Sequence, residues 1–534
     1  MKKNQVVIGV DVGTGSARAG VFNLSGEMLA SARRDITLYQ PQPHFAEQSS
    51  EEIWEAVCAA VKQALAESGA TPEAVAGIGF DATCSLVVVD QHGQPLPVGF
   101  SGDAKRNIIV WMDHRATDQA RRINQMGHPV LRYVGDKISP EMETPKLLWL
   151  KENLPETFNA AWQFFDLADW LTWRASGDLV RSICTLTCKW TWLAHEQRWD
   201  DSYFEAIGLA EFPQENYARI GQNMQPPGSA CGQGVSAQAA GELGLLPGTP
   251  VAVGMIDAHA GGIGSVGIAE GAQHNLAYVF GTSSCTMTTT AEPVFIPGVW
   301  GPYYSAMVPG MWLNEGGQSA AGAAIDRLLS LHPAAGAAEQ EAKHQGKPLP
   351  VYLADQVLEH FADGSQAVTL ASGIHVVPEF LGNRAPFADP TARAVIAGLD
   401  MDRSPHHLLQ LYVAGICGIG YGLRQILEAQ EKAGAPVDNI VISGGAGQHP
   451  LIRQLLADAC GKPVLSTRAA EPVLLGSAIL GAVAGGLFET VPQGMQALST
   501  PDLRYAPDSN VREQHDKRYR SFTRLQQTAR TLEG

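Results

Sequence analysis

Two hydrophobic rhythms alternate along this chain. A continuous apolar run begins at Val6 and breaks at Asp11. A second short run spans Ala19 to Phe22, and Gly13-Thr14-Gly15-Ser16 lies between them. The pattern predicts strand, glycine turn, strand, with a carboxylate at the hairpin tip. Ile53, Trp54, Val57, Val61 and Leu65 recur at helical spacing, opened by Ser49-Ser50-Glu51-Glu52 and closed by Gly69. That is a capped amphipathic helix with a capping-box start. Val75 to Phe80 predicts a strand leading into Asp81, and Leu86 to Val89 another, turned by Asp90-Gln91-His92-Gly93. Val251 to Gly254 predicts a strand leading into Asp257. Ile440 to Ser443 predicts one that meets Gly444-Gly445-Ala446-Gly447 and then a helix from Pro450 to about Cys460. Alternating strand and helix signals define an α/β class.

The glycine hairpin has a counterpart half a chain later, Gly281-Thr282-Ser283-Ser284 within LAYVFGTSSCTMTTT. At 534 residues the chain exceeds what one core supports, and the repeated hairpin predicts two duplicated domains. The glycine-rich stretch AGGIGSVG places the boundary near residue 262, giving units 1–262 and 263–534, with the glycines as a hinge. Residues 332–366 predict a loop and an exposed helix. Val473 to Phe488 predicts a buried core helix too short to span a bilayer, and the last 30 residues predict a surface helix.

Net charge is −16, from 38 basic and 54 acidic residues, without a Lys/Arg cluster of the kind that holds nucleic acid or anionic lipid. The expectation is therefore no nucleic-acid partner and no membrane. Eight cysteines at 58, 84, 184, 188, 231, 285, 417 and 460 form no C-x-x-C pair and no zinc spacing. Cys184 and Cys188 read as buried free thiols. Free thiols point to a reducing compartment, and the cytoplasm is expected.

The chemistry sits at the glycine turns. Backbone N–H groups of Gly13, Thr14, Gly15 and Ser16 can cradle phosphate oxygens, with Asp11 on Mg²⁺ and Arg18 near the terminal phosphate. The P-loop pattern is absent. The dinucleotide fingerprint fails because Arg18 stands at its third glycine and a strand follows. Gly281, Thr282 and Ser283 would clamp a polyphosphate from the other side. Gly444, Gly445, Ala446 and Gln448, at a strand-to-helix turn, suit an anion or a flat base. Asp257 can accept the proton of an attacking hydroxyl. Asp81, Thr83, Cys84, Trp111, Asp113, Lys189, Glu315 and Gln318 supply the polar and aromatic groups that a polyol pocket needs.

The motifs DVGTGSAR, WMDHR, KLLWLKEN, GMIDAHAG, FGTSS, EGGQSAAG, FLGNRAP and SGGAGQ stand in this order over about residues 6 to 490. In this the chain resembles the FGGY family of carbohydrate kinases, within the actin, Hsp70 and sugar-kinase superfamily. The resemblance implies two ribonuclease H-like domains with ATP and sugar in the cleft between them, Mg²⁺, and transfer of the γ-phosphate to a sugar hydroxyl. By position it makes Asp257 the catalytic base, the first two glycine loops the phosphate holders, and Gly444 to Gln448 the adenosine site. Lys189 and Glu315 match ketose-contacting positions of ribulokinases, and Thr83-Cys84-Ser85-Leu86-Val87 resembles the motif of the D-ribulokinase subgroup. Glu141 to Pro145 depart from the usual form of the first family signature. The expected reaction is D-ribulose to D-ribulose 5-phosphate. Ribitol, L-ribulose, D-xylulose and erythritol are alternative acceptors, and an actin- or Hsp70-like protein-binding ATPase is a further alternative. A homodimer is left open.

Overall fold

A computed structural model describes residues 5–268, 271–361 and 363–532. The first sheet is built from β1 (Val6–Val12), β2 (Ser16–Asn23), β3 (Met28–Asp35), β4 (Val75–Ala82) and β5 (Met255–Ile256). Its order is β5-β4-β1-β2-β3. The second holds β6 (Asn275–Phe280), β7 (Ser284–Thr290), β8 (Trp300–Tyr304), β9 (Trp312–Gln318), β10 (Asn439–Ser443), β11 (Val464–Thr467) and β12 (Pro501–Tyr505). Its order is β8-β9-β7-β6-β10-β11-β12. Without the edge strands β8 and β12, both sheets have one topology. An antiparallel three-stranded meander is extended by two parallel strands on the side of its first strand. This is the duplicated ribonuclease H-like architecture.

The helices that position the site are α1 (Ser50–Ser68), α2 (Ile183–Lys189), α3 (Asp257–Ile263), α4 (Pro405–Lys432), α5 (Pro450–Cys460) and α6 (Pro472–Ala484). Strand periodicity sorts β1 into two faces. Val6, Ile8, Val10 and Val12 share a core with Ile53, Val57 and Val61 of α1. Val7, Gly9 and Asp11 face the other way, toward α6. Gly9 is required there, because a Cβ would lie 2.0 Å from the Leu474 carbonyl oxygen. Thus α6, late in the sequence, covers the first sheet.

Several local expectations hold. α1 is capped by Ser49, whose Oγ accepts from the Glu52 N–H at 3.3 Å, and by left-handed Gly69. The return half of the capping box is missing, since the Glu52 carboxylate takes the Thr37 N–H and hydroxyl instead. Both glycine hairpins form between their predicted strands, and α5 has the predicted ends.

Three expectations are corrected. The stretch 251–254 forms only isolated bridges, because the segment from Gly228 to Cys231 occupies its backbone groups; the ladder is Met255–Ile256. The glycine run at 260–267 is no open hinge. Its first part is α3, packed on α6 so closely that a Cβ on Gly264 would lie 1.9 Å from the Pro472 carbonyl. Within 332–366 there are two helices, Ala335–His344 and Leu349–His360, and the second buries Leu353, Ala354 and Val357. The C-terminal helix Arg512–Thr531 lies at the surface with Phe522 and Gln526 turned inward. Among the described residues, no helix is long and apolar enough to cross a membrane.

Candidate active site

Sheet register assembles the acidic centre. Asp11 on β1 pairs with Asp81 on β4 and with Arg18 on β2, and Asp81 pairs with Met255, two residues before Asp257. Asp11 and Asp81 therefore share the face toward α6. Arg18 Nε donates to Asp11 Oδ2 at 2.9 Å, and Arg18 Nη1 reaches Glu471 at 2.5 Å from the other half of the chain. Ser477 Oγ of α6 donates to Asp81 Oδ2. Burial and the adjacent Asp11 push the Asp81 carboxyl well above its ordinary range. Asp257 opens α3, its Oδ1 accepting from the Ala258 N–H at 2.7 Å. Burial, then the Asp11 charge, raise its pKa to about 6.

The two glycine hairpins are held from behind. Gly13 N–H donates to the Ser16 carbonyl, and the Gly281 N–H to that of Ser283, both at 3.0 Å. Trp111 Nε1 donates to Thr14 Oγ1 at 3.0 Å, and Gln48 Nε2 to the Thr14 carbonyl at 2.7 Å. The Ala321 and Ala323 N–H groups tie the Thr282 carbonyl to the helix Gly322–Ser330. Gly322 nests between the two glycine turns of the second half. A Cβ there would lie 2.7 Å from the Gly281 carbonyl and 3.5 Å from Ala446 Cβ. Gly444 takes φ 90° to leave β10, with Gly445 and Gln448 exposed.

A second polar group adjoins Asp257. Lys189, the last residue of α2, lies with its ammonium 4.8 Å from the Trp300 ring centre. Burial works against that charge, but the surrounding groups, led by Cys84 and Glu315, overcome it and hold Lys189 protonated. Glu315 on β9 accepts from His259 Nε2 at 3.0 Å. Burial pushes its carboxyl up, yet Lys189, His259 and Arg384 together bring it down to about 2. Cys84 is buried within the influence of Lys189, Lys146 and Glu143. Charged groups from both halves of the chain thus converge beside Asp257.

Several predicted residues have other duties. Both Asp113 carboxylate oxygens already have partners within the protein, Arg115 Nε and N–H on one side and Arg115 Nη2 and the Ala46 N–H on the other, so Asp113 anchors Arg115 and the Ala46 backbone. Gln318 accepts from Tyr278 and Ser284 and donates to the Ile419 carbonyl, bracing β7 against α4. Asp81 pairs with Asp11 across the sheet and accepts from Ser477. Arg18 is spent on Asp11 and Glu471. Thr83 Oγ1 pairs with Ser85 Oγ at 3.0 Å, and Ser85 Oγ accepts the Trp111 N–H, so this segment shapes the pocket wall.

The sequence reading missed Glu141, Glu143, Lys146, His259, Tyr303 and Arg384 as members of this cluster. Glu143 and Lys146 are fully buried and 3.7 Å apart, too far for a hydrogen bond. Among the described residues, neither Glu143 oxygen, nor Lys146 Nζ, nor the Tyr303 hydroxyl has a hydrogen-bond partner. Burial raises Glu143 to about 7 against the pull of Lys146 and Lys189. Glu141 meets His114 at 3.0 Å. The available signal was a charged i, i+3 pair inside the apolar helix ETPKLLWL.

These features define a two-domain sugar kinase. The N-terminal domain of the FGGY family of carbohydrate kinases matches residues 6–264 and the C-terminal domain residues 276–485, and the chain belongs to that family. A Xenopus laevis FGGY carbohydrate kinase domain-containing protein is 45% identical over 97% of this chain and 96% of its own. A Saccharomyces cerevisiae D-ribulokinase is 39% identical over 90% of this chain and 72% of its own. The fold matches a crystal structure of xylulose kinase from Rhodospirillum rubrum with a TM-score of 0.79, at 24% identity, covering 98% of this chain and 99% of that one. The protein is an enzyme, a carbohydrate kinase acting on a small-molecule sugar with ATP.

Proposed function

We propose that this enzyme phosphorylates a ketopentose, D-ribulose, at its 5-hydroxyl to give D-ribulose 5-phosphate. The observation that carries a polyol acceptor is the group of unpartnered buried atoms of Glu143, Lys146 and Tyr303 close to Lys189 and Glu315. Buried polar atoms cost free energy unless satisfied, and the hydroxyls of a sugar satisfy them. The choice of D-ribulose rests on the similarity to the yeast D-ribulokinase and on Thr83-Cys84-Ser85-Leu86-Val87.

In this reading Asp257 accepts the hydroxyl proton as the oxygen attacks the γ-phosphate in line. Its pKa of about 6 leaves it ionised at neutral pH yet basic enough to take a proton. Lys189 and Glu315 hold the ketose, with Cys84 and Thr83 at its wall. Gly13 to Ser16 and Gly281 to Ser283 hold phosphates, and Gly444 to Gln448 the adenosine. The orphaned Oδ1 of Asp81 beside Asp11 suits an oxygen-seeking divalent cation, and Asp11 would hold Mg²⁺. When bound, that ion neutralises phosphate charge.

A panel of D-ribulose, L-ribulose, D-xylulose, ribitol and erythritol in a coupled ADP-release assay tests the assignment. The highest kcat/KM is expected with D-ribulose. An equal or higher value for another acceptor refutes the substrate, and ATP turnover independent of any sugar refutes the acceptor site.

A further inference from the structure

Helix α2 carries two cysteines one turn apart, Cys184 and Cys188, both fully buried. Spacing of i, i+4 puts both thiols on one helix face. The helix is fixed at its start, where Ser182 Oγ donates to the Gly254 carbonyl at 2.6 Å and the Ser182 N–H to Asp169 Oδ1 at 2.8 Å. Onto this face α3 brings His259, 75 positions later, with Nδ1 3.2 Å from Cys184 Sγ. The two sulfurs and one ring nitrogen all lie within 4.8 Å of one another. We propose that Cys184, Cys188 and His259 form a binding site for one thiophilic divalent cation, with Zn²⁺ as its ligand.

The surroundings support this beyond the donor set. His259 Nε2 donates to Glu315 at 3.0 Å, which fixes the tautomer that leaves Nδ1 free to ligate. A carboxylate behind the imidazole is the usual outer support of a ligating histidine. Two sulfurs and an imidazole select Zn²⁺ over Mg²⁺, whose preference is for oxygen. Three protein donors leave a fourth position for water. Formation of two Zn–S bonds and one Zn–N bond releases two protons. They leave Cys188 and His259 Nδ1 when Cys184 and His259 begin as an ion pair, and the two thiols when both begin neutral. The ion would tie the helix ending in Lys189 to the helix beginning with Asp257.

The test uses the full chain, reduced and stripped with a chelator. Expected are one equivalent of Zn²⁺ bound in competition with a chromophoric chelator, about two protons released, and no displacement by millimolar Mg²⁺. Glu315→Gln should weaken binding about 10–100-fold, the usual cost of losing an outer partner. Cys184→Ser and Cys188→Ser should each lose at least as much. Should the serine variants not fold, Co²⁺ added to the unaltered protein decides, through a strong thiolate-to-metal charge-transfer band and tetrahedral visible bands. Unchanged affinity in the folded serine variants, displacement by Mg²⁺, or a Co²⁺ spectrum without the thiolate band overturns the site.

Discussion

Asp257 is a costly residue to keep. Its carboxyl is raised from the ordinary aspartate range to about 6 by burial and by Asp11, so ionisation works against folding. A raised acid favours the folded state while protonated and loses that advantage as pH rises through about 6. Asp257→Asn is therefore expected to lose roughly 10²-fold or more in kcat, the scale of a positioned base. It should also raise Tm at pH 8 and leave it nearly unchanged at pH 4. Turnover on a pentulose and scanning calorimetry at the two pH values check both halves. The same logic applies to Glu143, held near 7 by burial. Glu143→Gln should raise KM for the sugar more than it lowers kcat, and flatten the dependence of KM on pH around 7. An unchanged KM would remove Glu143 from the pocket. Asp11, Asp257, Lys189 and Glu315 were legible in the sequence because each stands in a distinctive local motif. The anchoring of Asp113 is something no local motif reveals: its partner Arg115 is two residues away, but the enclosure that traps the pair comes from Glu47 and the Ala46 N–H.

At the scale of elements, the feature that most constrains the site is α6 against the first sheet. Gly9, Gly77 and Gly79 alternate along β1 and β4, and a Cβ on Gly79 would sit 1.9 Å from the Ser477 carbonyl. Gly79→Ala should destabilise the protein by about 1–3 kcal/mol or more, the cost of overpacking, seen as a fall in Tm. Because Ser477 also donates to Asp81, activity should fall before stability does, measured as kcat at a temperature where the variant remains folded. The strands and α5 were predictable with near-correct ends because their patterns are local. The Val251–Gly254 strand was not, since its apolar run shows that it is buried but cannot show which backbone groups claim its hydrogen bonds.

For the whole molecule, the two halves interlock. Arg18 meets Glu471, Asp81 meets Ser477, His259 meets Glu315, and Ser499 Oγ donates to the Gly264 carbonyl. A fragment ending at residue 262 would leave Val7 and the glycine face of the first sheet without α6. It is expected to lack cooperative unfolding and near-ultraviolet dichroism, and a cooperative transition in that fragment would contradict the role given to α6. The sequence by itself determined the α/β class, the paired glycine hairpins and the family, because these depend on residue types at fixed short spacings. The tertiary structure alone decided which polar groups remain free. It set Asp113 and Gln318 to bracing, turned Asp81 toward Asp11, left Glu143 and Lys146 unsatisfied, and brought His259 to Cys184 and Cys188. The physical reason is that hydrogen-bond satisfaction and metal-ligand convergence are properties of distance in space, and the partners lie on different helices and strands, many of them far apart in the chain.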